Sequence, residues 1–228
     1  MSIAERLKPN IPKNESLKRK KERADAIFQI LLQAYPGAKC SLNYRNPYEI
    51  LVATILSAQC TDLRVNMVTP ELFRRYPDTK AMASAKHSEL AEIIRSTGFF
   101  NAKAKNLIAC CQALIARHQG EVPDSLDELV QLPGVGRKTA NVVLGEIFHI
   151  PGVVVDTHVG RISRHLGLTK NSDPTKVEFD LMNILPPERW TLWNHLLIEH
   201  GRAICIARRP RCLECPMQNY CPGPIEKN

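Results

Sequence analysis

Residues 125–148 read SLDELVQLPGVGRKTANVVLGEIF. Ser125, followed three residues later by Glu128, is a capping-box pattern that opens a short helix through Leu129 and Leu132. Arg137 to Phe148 continues as a second helix. The link between them is Pro133-Gly134-Val135-Gly136. Two glycines in so short a link allow positive φ and leave N–H groups unobstructed at the positive end of the second helix. An anion such as phosphate fits there. A glycine pair alone reads equally as a plain helix–helix connection. Arg137 and the basic chain around it favour a phosphate-binding hairpin with Gly134, Gly136 and Arg137 as contacts.

Outward from the hairpin the pattern stays helical. Ile27, Ile30, Leu31 and Ala34 recur at helical steps from Ala24 until Pro36-Gly37. Asn46-Pro47 with Glu49 supplies a cap, a first-position proline and a capping-box partner for a helix to about Ala58. Asp62 is placed to cap the next helix. Further helices are expected from Ser88 to Thr97, from Asn101 to about Gly120, from Asp173-Pro174, and after Pro187. Gly152 to Val155 alone looks strand-like, and one short apolar run does not make a sheet. The fold class is therefore all-α.

The chain has 228 residues, 31 Lys and Arg against 23 Asp and Glu, a net charge of +8 and 44% hydrophobic residues. That length buries a real core, and the charge favours an anionic partner, nucleic acid first. No apolar run approaches the roughly 18 residues of a membrane span, and the N-terminus lacks the apolar stretch of a secretory signal, so an intracellular protein is expected. The first 23 residues carry eight basic and three acidic side chains with no apolar period, which reads as a solvated, disordered tail.

Lys138 falls in the first turn of the second hairpin helix, where the macrodipole disfavours a cation and enlarges the share of neutral, nucleophilic amine. Such an amine beside a DNA backbone can attack a sugar C1′ and hold the sugar as a Schiff base; a lysine that merely touches phosphate fits the same position. Eighteen residues on, VVVDTH (153–158) sets Asp156 before a helical stretch running to Leu166. Asp156 is a natural N-cap, and a cap carboxylate facing a cleft also steadies an oxocarbenium charge or takes a proton. His158 reads as a structural hydrogen-bonder.

Cys205, Cys212, Cys215 and Cys221 form C-x6-C-x2-C-x5-C. Four thiolates so close suit a [4Fe–4S] cluster or a tetrahedral zinc; a zinc ribbon usually shows two close pairs, and only Cys212 and Cys215 form one. Arg208, Arg209 and Arg211 lie inside the first loop and suit phosphate contact. Cys40, Cys60, Cys110 and Cys111 read as small hydrophobes.

LPGVGRKTA, VDTH and the four cysteines, in this order and together with LSAQCTD (56–62) and TGFFNAKAKN (97–106), resemble the endonuclease III family of helix-hairpin-helix DNA glycosylases. The resemblance runs from about Ala24 to Pro222. It implies two helical lobes: a six-helix barrel domain over residues 40–150 that contains the hairpin, and an iron–sulfur domain formed by 24–39 with 151–228. Double-stranded DNA would lie in the groove between them. It further implies a monomeric base-excision enzyme that removes damaged, oxidised pyrimidines and cleaves abasic sites by β-elimination. Lys138 falls on the family's nucleophile, Asp156 on its catalytic carboxylate, and the four cysteines on its [4Fe–4S] ligands. Gln59 and Phe99 match the positions that fill the gap left by an extruded base, Phe99 replacing a more usual leucine.

Three other readings remain. A mismatch adenine glycosylase shares hairpin and cluster, but that family lacks the lysine at position 138 and carries an extra C-terminal domain. A non-catalytic hairpin module would grip phosphate and do no chemistry. An electron carrier would need no DNA, against which the three arginines of the cysteine loop speak.

Overall fold

The computed structural model describes residues 14–223 together with Pro9, Ile11 and Pro12. Two compact units divide the chain: a continuous unit, Cys40–Ile150, and a discontinuous one, Met1–Lys39 with Pro151–Asn228. Secondary structure among the described residues is helical, with no strand.

The chain begins its first helix, α1 (Leu17–Ala34), seven residues before the expected start at Ala24. Ser16 caps it by accepting from Arg19 N at 3.3 Å. The basic run therefore is not all tail: Leu17 to Arg23 is helical, and the rest of the tail expectation falls on residues mostly outside those described. Long-range bonds explain the early start. Arg23 is buried, pairs with Glu15 at 2.7 Å, and donates to the carbonyls of Leu166 (2.6 Å) and Tyr220 (3.1 Å). A guanidinium with four satisfied donors tolerates burial that a lone charge would not.

In the continuous unit follow α2 (Pro47–Leu56), α3 (Asp62–Arg75), α4 (Thr79–Ala83), α5 (His87–Ile93), α6 (Phe100–His118), α7 (Leu126–Leu129) and α8 (Arg137–Ile147). Asn46 caps α2 through Glu49 N at 2.9 Å, and Glu49 returns a bond to Arg45 N at 2.8 Å. Thr61, not Asp62, caps α3; its hydroxyl accepts from Arg64 N, and Asp62 becomes the first helical residue, where its charge still complements the helix N-terminus. The expected helix from Ser88 to Thr97 splits into α5 and a 3-10 turn, Arg95–Thr97, closed by Gly98 at φ 71°. Every residue from Tyr48 to Leu56 is buried, so α2 is a central helix covered on all sides. Around it pack α3, α6 and α8, with Leu72, Leu107, Leu114 and Val143 in the same core.

The discontinuous unit holds α1 with α9 (Thr157–His165), α10 (Pro174–Ile184) and α11 (Trp190–Ala203). Asp173 caps α10 as its Asp-Pro pattern predicts. Trp193 lies fully buried and stacks on Phe28 at 6.4 Å between centroids, with Ile27, Ile162 and Leu197 around them. Residues 152–155 run extended without a strand partner; Val153 is buried and Asn194 Nδ2 donates to Gly152 O at 3.0 Å, so side chains rather than a sheet hold this run.

Candidate active site and cysteine centre

Helices α7 and α8 flank the glycine link. Ser125 stands at the N-cap of α7, yet its side chain makes no cap bond. The one-turn helix closes on backbone alone, with Leu129 N to Ser125 O at 2.9 Å and Leu132 N to Leu129 O at 3.1 Å. Gly134 sits at φ 78°, and a Cβ there would lie 2.8 Å from Asn106 Cβ of α6, so conformation and close approach both require glycine. Gly136 differs: its φ is −94°, and a Cβ would meet nothing within 4 Å. Its contribution is absence of bulk at the N-cap of α8, where it offers no side-chain cap bond and leaves room for an anion to approach the helix N-terminus.

Lys138 is the second residue of α8 and exposed; Arg137 is half-buried. Asp156, in the other unit, caps α9: Oδ1 accepts from Val159 N at 2.7 Å, and the residue is half-buried. His158 packs over Gly201, where any Cβ would collide with its ring. Arg161 Nη2 lies 3.3 Å from His158 Nδ1 and donates to Cys205 O at 2.6 Å, which ties α9 to the start of the cysteine segment.

Gln59 and Phe99 share an unusual backbone. Both are non-glycine residues in the left-handed region, at φ 53° and 49°, and both are exposed, Phe99 by 65%. Phe100, its neighbour, packs against the core instead. Phe99 is therefore an exposed loop residue and not a core aromatic; Gln119 and His149 share the left-handed backbone.

Cys205, Cys212, Cys215 and Cys221 line one cavity, closed by Ile162, Leu166, Met217 and two histidines. Sequence reasoning missed those histidines. His165 Nδ1 lies 3.6 Å from Cys205 Sγ, and His200 Nε2 lies 3.6 Å from Cys215 Sγ with its Nδ1 3.0 Å from Tyr35 OH. His200 is buried, which lowers its pKa to about 4 and keeps it neutral. Gly223 N also donates to Cys221 Sγ at 3.4 Å. Burial pushes the Cys205 and Cys221 thiols up and the Cys215 thiol to about 11, so deprotonated sulfur here calls for cationic metal. Four thiols ringing an apolar cavity, with the Gly223 N–H donating to one sulfur, suit a [4Fe–4S] cluster. Arg208 and Arg209 are exposed on the intervening loop. Arg211 instead folds back, donating to Ala203 O at 2.6 Å and pairing with Glu214 at 3.1 Å.

Comparison with known proteins defines the class. Residues 52–187 match the HhH-GPD superfamily of base excision DNA repair proteins, and residues 205–221, from the first to the last of the four cysteines, match the iron–sulfur binding domain of endonuclease III. Endonuclease III of Synechocystis sp. is 54% identical over 205 residues, 90% of this chain and 94% of that one. The structures of a non-covalent endonuclease III–DNA complex and of a trapped endonuclease III–DNA covalent intermediate each superpose with a TM-score of 0.85 at 42% identity. Each superposition covers 88% of this chain, and 94% and 95% of the respective solved chains. The chain belongs to the endonuclease III family, and its cofactor is a [4Fe–4S] cluster.

Proposed function

We propose that the chain excises oxidised pyrimidines from duplex DNA and cleaves the resulting abasic site, with Lys138 as the nucleophile and Asp156 as its carboxylate partner. As a member of its family it is a DNA glycosylase with lyase activity. The observation that carries the residue assignment is the exposed Lys138 amine in the first turn after Gly136, where bound phosphate would bring a sugar alongside.

In this reading the Lys138 Nζ lone pair forms a bond to C1′ while the bond from C1′ to the base breaks and its electron pair leaves with the base, which takes up a proton. Opening of the sugar ring gives a Schiff base between Nζ and C1′. That cation acidifies C2′; loss of a C2′ proton and expulsion of the 3′ phosphate cleave the strand. Asp156 accepts the proton from the attacking amine and steadies positive charge at C1′. Gly134, Gly136 and Arg137 hold backbone phosphate, and Gln59 and Phe99 occupy the gap left by the extruded base. Cys205, Cys212, Cys215 and Cys221 would hold the cluster, which would supply the metal–sulfur bonds that pin the loop. Its loop presents Arg208 and Arg209 to DNA, while Arg211 shapes the loop. The chain acts as a monomer inside the cell; among the described residues no helix is long and apolar enough to cross a membrane.

Borohydride trapping on duplex DNA with one abasic site tests the assignment. Wild type forms a covalent adduct and Lys138→Ala forms none. Absence of an adduct from wild type would leave a binding module without chemistry.

A further inference from the structure

The loops that carry Gln59 and Phe99 are forty positions apart in sequence, and one buried side chain holds the stems of both. Lys103, on the first turns of α6, is 5% exposed. Its ammonium donates to Leu56 O and to Thr97 O, each at 2.8 Å. Leu56 is the last residue of α2, three before Gln59; Thr97 ends the 3-10 turn, two before Phe99. Carbonyls at helix ends lack partners within the helix and sit at the negative end of its dipole, so a cation between two such ends meets both needs. Burying an ammonium is unfavourable unless it is bonded, and burial here lowers its pKa from the usual lysine range. An apolar side chain of similar length would pack as well without that penalty. What it would not supply is two directed bonds, and directed polar contacts in a core specify arrangement more than they add stability. One turn further along α6, Asn106 lies against Gly134 of the hairpin. The same helix face thus touches the stems of both loops and the glycine link.

We propose that Lys103 is a positioning residue for the base-extrusion step, setting the register between the Gln59 loop and the Phe99 loop so that the two side chains enter the duplex together. The proposal rests on the assignment of those two side chains as the ones that fill the gap.

The test compares rates of borohydride trapping on an abasic site in duplex with the same site in a single strand, where no stack has to be filled. Phe99→Ala lowers the duplex-to-single-strand ratio by roughly tenfold, the size of one lost stacking contact. Lys103→Met lowers the ratio to a similar extent, and the double variant falls no further than Phe99→Ala alone. Lys103→Arg, which keeps charge and donors, recovers at least half of the loss. Should Lys103→Met not fold, Lys103→Gln takes its place with the same expectation. If Phe99→Ala lowers the ratio but the Lys103 variant leaves it unchanged while its melting temperature falls, Lys103 is structural only and the proposal is wrong. If Phe99→Ala itself leaves the ratio unchanged, the gap-filling assignment fails first and the proposal with it.

Discussion

In the continuous unit every residue of α2 from Tyr48 to Leu56 is buried, whereas between Ile204 and Gly223 only Met217 is. The first stretch is organised by expelling water. The second has two 3-10 turns, Cys212–Glu214 and Gln218–Tyr220, and little apolar surface to bury. Hydrogen bonds of Arg161, Arg211 and Gly223 hold it instead, and in the proposed reading bonds from its four thiols to metal complete its shape.

The largest expected effect separates the two directly. Removal of iron by oxidation and chelation, or Cys212→Ala, exposes the amides of 204–223 to hydrogen exchange while 40–150 keeps its protection. The local loss is on the order of 10 kcal/mol, the scale of structural metal sites. Parallel opening of 40–150 would break the comparison. Next, Leu107→Ala removes a fully buried side chain from the continuous core and lowers its unfolding free energy in urea by about 2–5 kcal/mol, with the visible absorbance of the cluster unchanged below the transition. Gly134→Ala forces a methyl toward Asn106 at φ 78° and destabilises by about 1–2 kcal/mol; a fluorescence titration on undamaged duplex shows weaker binding as well. The smallest effect concerns Glu15. Hydrogen bonds from Arg23 hold its carboxyl below the ordinary 4.5, so the pair's contribution is complete above that pH and disappears as pH falls through the lower native value. Glu15→Gln therefore melts below wild type at pH 7, and the gap closes in acid.

The hairpin, Lys138, Asp156 and the cysteine spacing stand out in the sequence because each is local: a few residues in fixed order specify the turn, the cap or the ligand set. Asn46-Pro47 with Glu49, and Asp173-Pro174, announce their helices in the same way. What escaped the sequence is non-local. Helix α1 starts at Leu17 because Arg23 finds acceptors 143 and 197 residues away. Lys103 reads as one more surface cation until Leu56 and Thr97 are seen to converge on it. His165 and His200 carry no cysteine-like spacing, though a histidine one helical turn and a half before Cys205 was a signal available to be weighed. The left-handed backbone at Phe99 was hidden because nothing about phenylalanine favours it.

Arg23 also has a consequence in time. A ribosome releases residues 40–150 as an uninterrupted stretch, free to fold once they emerge, but Arg23 has to wait for the carbonyl of Tyr220. At about 5–20 residues per second, that wait lasts roughly 10–40 s. During it the bonds that join Arg23 of α1 to Leu166 and Tyr220 cannot form, because those residues are still to be made. The order of synthesis thus closes the discontinuous unit last.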